Sequence, residues 1–253
     1  MIENNKIGKI DILYEDDDLV VINKPAGIAV HGDGKTKQKT LVEWIKKKFP
    51  ETEGVGENMI SDEDEEIERP GIVHRLDKET SGALIVAKNV WSYEILKDQF
   101  KERKISKMYV AFADGEIRAE RGVIRKPIGR SKEDARKRSV KPTGDMKEAE
   151  TIFRVIKVSG HSFGKATLLA LWPKTGRTHQ IRVHLNSIRH PVVADSLYGK
   201  SQNSLEFKRL ALHAREINFE SLSGKKITVV APFPPDFKKA FEIFKIDEKD
   251  LLK

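Results

Sequence analysis

The chain has 253 residues, 38% hydrophobic and 34% charged, with a mean hydropathy of −0.50. It is long enough to bury roughly 70–75% of the surface its unfolded form exposes, and too apolar for a wholly disordered chain. No apolar run approaches the ~18 residues of a membrane span, the N-terminus lacks a signal-peptide core, and there are no cysteines, so disulfides, thiolate metal sites and a cysteine nucleophile are excluded and the cytoplasm is the expected address.

Lys and Arg number 47 against 39 Asp and Glu. Residues 51–68 hold nine acids and no bases, so the rest of the chain carries +17. Such an imbalance suits a polyanionic partner, nucleic acid first, although a lysine-rich soluble protein has the same balance.

Strand-like runs open the chain, Ile10–Tyr14 and Leu19–Asn23, across the turn EDDD. The glycine-rich KPAGIAVHGDGK reads as a loop. Thr40 with Glu43 has capping-box spacing and predicts a helix over 41–49. The acidic stretch 51–68 is expected to be an exposed, mobile loop. Ala83–Ala87 reads as a buried strand, and Asn89 as the cap of a helix over 90–103. Lys107–Ala113 is a further strand. Residues 118–147 hold 11 bases against four acids and read as a basic insertion or arm, flexible and with short strands.

Strands over Ala149–Val158 and Gly164–Trp172 follow, with a turn at Ser159–His161. Thr178 is expected to cap a helix carrying Ile181, Leu185 and Ile188, ended by Arg189–Pro191. Leu210–Ala214, Glu216–Phe219 and Lys226–Val230 read as strands, and Pro234–Phe244 as a last helix with proline at its start. No repeat of fixed period occurs. Runs of strands interrupted by helices, without strict alternation, predict an α+β fold with a mixed, mostly antiparallel sheet in one domain spanning 1–253.

Phosphate and cofactor signatures are missing: GDGKTKQKT lacks P-loop spacing, no G-x-G-x-x-G follows a strand, and no G-x-S-x-G elbow occurs. His179 and His184, five apart, would point about 140° away from each other on a helix, so they do not make a metal pair. Two segments carry chemistry. In HRLDKETSG, Asp77 lies beside Arg75; an aspartate in a cleft near guanidinium groups stays ionised and can act as nucleophile or base, while the same residues also suit an ordinary turn. In KTGRTHQIRVH, Arg177 precedes a helix start that attracts phosphate, and Arg182 lies one turn in, placed to pair with a carboxylate; a plain surface helix fits as well.

HRLDKETSG with the following LIVAK resembles the catalytic motif of the RluA family of RNA pseudouridine synthases. NKPAGIAVH at 23–31, KMYVAFADG at 107–115, KTGRTHQIRVHL at 174–185, HPVVADSLYG at 190–199 and RLALHAREINF at 209–219 are similar to the family's other signatures, in its order. The resemblance implies a bipartite, mostly antiparallel sheet with flanking helices and a central active-site cleft. It implies isomerisation of a uridine within RNA, with no cofactor and no metal: the bond from ribose carbon 1 to uracil nitrogen 1 breaks, the base turns, and carbon 5 takes its place.

By that resemblance Asp77 is the essential aspartate, attacking the ribose carbon or removing a proton from its neighbour. Tyr109 is the active-site tyrosine, stacking on the extracted base or helping to remove the carbon 5 proton. Arg182 is the base that pairs with the aspartate, with Arg177 second for that role. Arg75 orients the flipped nucleotide, and His74 reads as structural. Arg177, Thr178, His179 and Gln180, with Arg130, Arg136 and Arg138 of the arm, are the expected substrate-binding residues. Many relatives carry a small basic RNA-binding domain ahead of the catalytic one; here about 20 residues precede the first motif, so that domain is expected to be missing. The expected target is large-subunit ribosomal RNA, with transfer RNA second and a non-catalytic ribosome-assembly factor as the other class; a monomer suffices.

Overall fold

A computed structural model describes residues 8–32, 39–60, 66–141, 144–161, 164–199 and 205–252. In chain order the elements are β1 (Asp11–Glu15), β2 (Leu19–Lys24), α1 (Leu41–Lys48), β3 (Met59–Ile60), β4 (Glu66–Ile67), β5 (Ser81–Ala87), α2 (Val90–Lys101), β6 (Ser106–Asp114), β7 (Arg121–Arg125), β8 (Gly129–Arg130), β9 (Arg138–Ser139), β10 (Glu150–His161), β11 (Gly164–Pro173), α3 (Gln180–Ser187), β12 (Leu212–Glu220), β13 (Lys226–Val230) and α4 (Pro235–Phe244). Short 3-10 turns lie at Pro50–Thr52 and Glu248–Leu252. The class is α+β, and the strand registers that are described are antiparallel, as the sequence predicts. The chain divides into two compact units, 1–105 with 216–232 and 106–215 with 233–253, a finer division than the single domain expected.

In the first unit β1, β2 and β5 lie side by side, with β13 on the end of β12. Every residue of β5 is buried, which is why SGALIVA carries no polar alternation. Leu19, Val21, Ile85, Leu96, Ile217 and Phe219 build its core. Both expected helix starts form: the Thr40 amide donates to Glu43 Oε1 at 3.2 Å, and the Ser92 amide donates to Asn89 Oδ1 at 2.9 Å.

The acidic stretch is not a loose loop where it is described. Thr52 is fully buried, Val55 enters the core, β3 pairs with β4, and Glu57 and Glu68 pair with Lys97 and Lys46. Residues 61–65 lie outside the described residues. Gly71 closes this segment onto β5: its φ is +66°, and a Cβ there would stand 2.1 Å from the Ala87 carbonyl oxygen. Only glycine fits that approach.

In the second unit β6, β11, β10 and β7 are neighbours in that order. The turn expected at Ser159–His161 is instead ladder: Ser159 pairs with Ala166, Gly160 with Lys165 and His161 with Gly164. The two strands expected at 210–219 are one. Arg215 does not break β12, because its guanidinium lies 4.1 Å from the Phe233 ring centre and donates to Glu248 at 2.8 Å, which makes a buried arginine tolerable inside a strand. Phe112 on β6 gathers Phe207, Phe237, Phe241 and Phe244, with ring centres 5.0–5.9 Å away, and so seats α4. The basic arm is organised rather than loose: β8 pairs with β9, Ile128 bridges Lys147, and Ile128 packs with Ala149, Val183, Val140 and Tyr198. Residues 142–143 lie outside the described residues.

Candidate active site

The first unit carries the Asp77 loop, and its supports come from the NKPAGIAVH segment. Lys24 ends β2, whose first four residues are apolar and buried, and is itself fully buried. Its ammonium donates to the carbonyls of Pro25 (2.8 Å), Ile28 (2.8 Å) and Lys78 (3.1 Å). The Gly27 amide donates to the Lys78 carbonyl as well, at 2.8 Å, and the Thr80 amide to the Asp77 carbonyl at 3.1 Å. Leu76 and Thr80 are buried on either side, while Asp77 itself is half-buried. The turn reading and the functional reading of this segment are therefore compatible: the loop is a turn, tightly held, that carries Asp77.

His74 is structural, as the sequence suggests. Its Nε2 accepts the Ile85 amide at 2.9 Å and its ring lies 4.8 Å from Phe100. Arg75 is exposed and reaches back to His31, Nη1 to Nε2 at 3.1 Å. The other His31 nitrogen, Nδ1, is 2.7 Å from the Gly32 carbonyl, which only accepts, so Nδ1 holds the proton and Nε2 takes the hydrogen bond from Arg75. Burial lowers the His31 pKa, with Arg75 and Arg69 adding to the effect and the bond to the Gly32 carbonyl opposing it.

The second unit carries Tyr109, Arg182 and the basic cleft. Tyr109 is buried on β6 opposite Leu171. Lys107, two residues earlier, shares its strand face. Desolvation brings the Lys107 ammonium down to about 8. Arg182 on α3 is buried, and its Nε and Nη2 each donate at 2.8 Å to Asp195, which is 1% exposed. A cleft of about 570 Å³ is lined by Arg130, Lys132, Arg138, Lys147, Arg177 and Thr178, with Asp145 its one acid among the described residues. The two basic segments found in the sequence thus meet in one place. Among the described residues, no three His, Asp or Glu side chains converge as a metal site requires.

The family model described as RNA pseudouridylate synthase matches residues 18–187. The chain belongs to the RNA pseudouridine synthases of the RluA type. A ribosomal large subunit pseudouridine synthase D of Borreliella burgdorferi is 39% identical over 251 residues, 96% of this chain and 71% of the relative. An uncharacterised RNA pseudouridine synthase of Bacillus subtilis is 38% identical over 232 residues, 91% of this chain and 71% of the relative. Among solved structures, human RNA pseudouridylate synthase domain containing 1 superposes with a TM-score of 0.72 at 28% identity, covering 92% of this chain and 87% of that one. The chain is an RNA pseudouridine synthase, an isomerase of uridine, and RNA is its substrate.

For this pseudouridine synthase two expected substrate contacts are committed elsewhere, and one expected cap is not formed. Gln180 is buried with its amide wholly committed: Oε1 accepts from the Thr175 hydroxyl (2.6 Å) and the Arg177 amide (3.0 Å), and Nε2 donates to the Glu150 carbonyl (2.8 Å) and Thr151 Oγ1 (3.1 Å). That is its full complement, so Gln180 holds the loop and offers no group to substrate. Arg136 folds back on its own turn, where Nε and Nη2 clamp Asp134 at 3.0 and 2.9 Å, and that clamp pulls the Asp134 carboxyl down to about 2. Thr178 does not cap α3; the cap position is His179, in left-handed backbone at φ +57°, and Thr178 lines the cleft instead. Sequence reasoning missed Lys24, His31, Asp195 and Tyr198, although each lies inside a motif it quoted. A lysine closing a strand that opens with four apolar residues was the signal for the first.

Proposed function

We propose that this enzyme modifies a uridine of large-subunit ribosomal RNA, with Asp77 as the essential aspartate. The observation that carries the RNA side is the cleft where, among the described residues, five cations from the arm and the α3 loop face a single acid. Phosphate contacts of this kind supply affinity and register, while shape selects the target. The relatives whose printed names specify the ribosomal large subunit support the choice of RNA. In this reading Asp77 attacks ribose carbon 1 or takes the carbon 2 proton, Arg182 supplies a guanidinium to the reaction, and Tyr109 stacks on the freed uracil and helps remove the carbon 5 proton. Arg75 steadies the flipped nucleotide. The base must leave its stack to reach Asp77, at a cost of a few kcal/mol that is least where it is already unpaired.

The test is pseudouridine mapping on unmodified ribosomal and transfer RNA transcripts, with wild type and Asp77→Ala in parallel. A carbodiimide stop at one large-subunit position, seen with wild type alone, is the expected result. A stop confined to transfer RNA moves the target. No stop in any RNA despite tight binding transfers the reading to a non-catalytic assembly factor.

A further inference from the structure

Arg182 is held more elaborately than ion pairing requires. Asp195 grips its Nε and Nη2 in a two-point fork, and Asp195 Oδ1 also accepts the amides of Leu197 (2.9 Å) and Tyr198 (3.1 Å). The carboxylate therefore cannot rotate without losing backbone bonds. The Tyr198 ring centre lies 5.2 Å from Arg182 Cζ. Its hydroxyl accepts the Arg138 amide of β9 at 2.7 Å and shares a hydrogen bond with His179 Nδ1 at 3.0 Å.

A guanidinium fixed at two nitrogens has its plane fixed, and with it the direction of its other N–H groups. An aromatic ring beside it limits tilting. A buried ion pair is weak support for stability, since apolar residues of similar volume serve as well; its distinctive yield is a single geometry. We propose that Asp195 and Tyr198 are positioning residues that fix the direction in which Arg182 presents its remaining N–H groups to the reaction, and that the Tyr198 hydroxyl ties this direction to the basic hairpin β8–β9. The inference rests on the reading of Arg182 as catalytic.

The experiment is a double-mutant cycle on the RNA that wild type modifies, read as the single-turnover rate at saturating RNA, with RNA Kd and thermal melting measured separately. Asp195→Asn is expected to slow the chemical step about ten- to a hundredfold, the cost of misplacing an aligned group, with Kd within about twofold. Asp195→Glu regains part of the rate. Placed in Arg182→Met, Asp195→Asn adds no further loss, because it acts through the arginine. Normal turnover by Asp195→Asn beside a slow Arg182→Met overturns the proposal alone. A full additional loss in the double variant does the same. Normal turnover by Arg182→Met overturns the catalytic reading of Arg182 and the proposal with it. Should Asp195→Asn fail to fold, Tyr198→Leu supplies the cycle: a rate loss that vanishes in the Arg182→Met background supports the proposal, and one equal in both backgrounds, or none, sinks it.

Discussion

The buried ammonium of Lys24 donates to the carbonyl of Lys78, the residue after Asp77, from 54 positions away in sequence. Two further carbonyls share that ammonium, so one side chain closes the loop that carries Asp77. Lys24→Met keeps the volume and removes three hydrogen bonds, leaving the Lys78 carbonyl only its bond from the Gly27 amide. Hydrogen bonds to a charged group contribute about 1.5–3 kcal/mol each, and part is recovered by relaxation, so a loss of at least about 2 kcal/mol is expected. Urea unfolding measures it. If the folded variant also turns over at least tenfold more slowly with unchanged RNA affinity, the loop's geometry, and not only its stability, depends on Lys24.

Asp77→Ala should abolish pseudouridine formation and leave RNA binding nearly intact, because backbone contacts dominate affinity. Asp77→Asn with near-normal turnover would contradict the assignment. Filter binding and adduct mapping on the same preparations separate the two properties.

Cations that look alike in the sequence should behave differently. Arg130→Ala, Arg138→Ala and Arg177→Ala, all at the cleft, should each weaken RNA binding and reduce the magnitude of the salt slope by about one. Arg136→Ala should change Kd far less, since its fork is occupied by Asp134. Titrations at several salt concentrations provide the comparison, and an Arg136 effect equal to that of Arg130 would show that the clamp opens on binding.

Acid should destabilise the protein through two buried histidines. His31 and His184 both have pKa values lowered from 6.5, chiefly by burial. The unfolded chain therefore takes up protons near pH 6.5 that the folded one refuses, and stability is complete above that value and falls as pH drops below it. The loss levels off once the pH passes below the folded-state values. Melting curves from pH 7.5 to 5 should show this slope, and His31→Asn should flatten it. A slope unaltered by that change assigns the effect to other groups.

Gly71→Ala should be severely destabilising although Gly71 is not among the candidate site residues. The positive φ and the 2.1 Å approach to the Ala87 oxygen leave the methyl no place, and a cost above about 2 kcal/mol is expected. A denaturant midpoint equal to wild type would mean that the segment shifts freely.

The helices at 41–48 and 90–101 were legible because capping is local: Thr40 with Glu43 and Asn89 with Ser92 settle their starts within one turn. The strand order was not, since β2–β5 pairing joins residues about 60 positions apart through a ladder that leaves no trace in either segment. The chemistry-bearing residues were visible as motifs, yet their roles divided on partners the sequence does not display. Gln180 and Arg177 stand three apart, and one faces inward while the other lines the cleft. Arg215 was read as a break in a strand, because nothing local announces that Phe233 will lie against it.

The committed amide of Gln180 has a practical corollary. It joins the α3 loop to β10 through neutral hydrogen bonds, and the Arg182–Asp195 pair beside it is buried, so neither is exposed to counterions. At molar salt the screening length shrinks to about 3 Å and the exposed lysines and arginines of the cleft lose their hold on phosphate. Nucleic acid should then wash away during purification while the wall that gripped it keeps its shape, and the stripped protein should rebind RNA on simple dilution, with no refolding step.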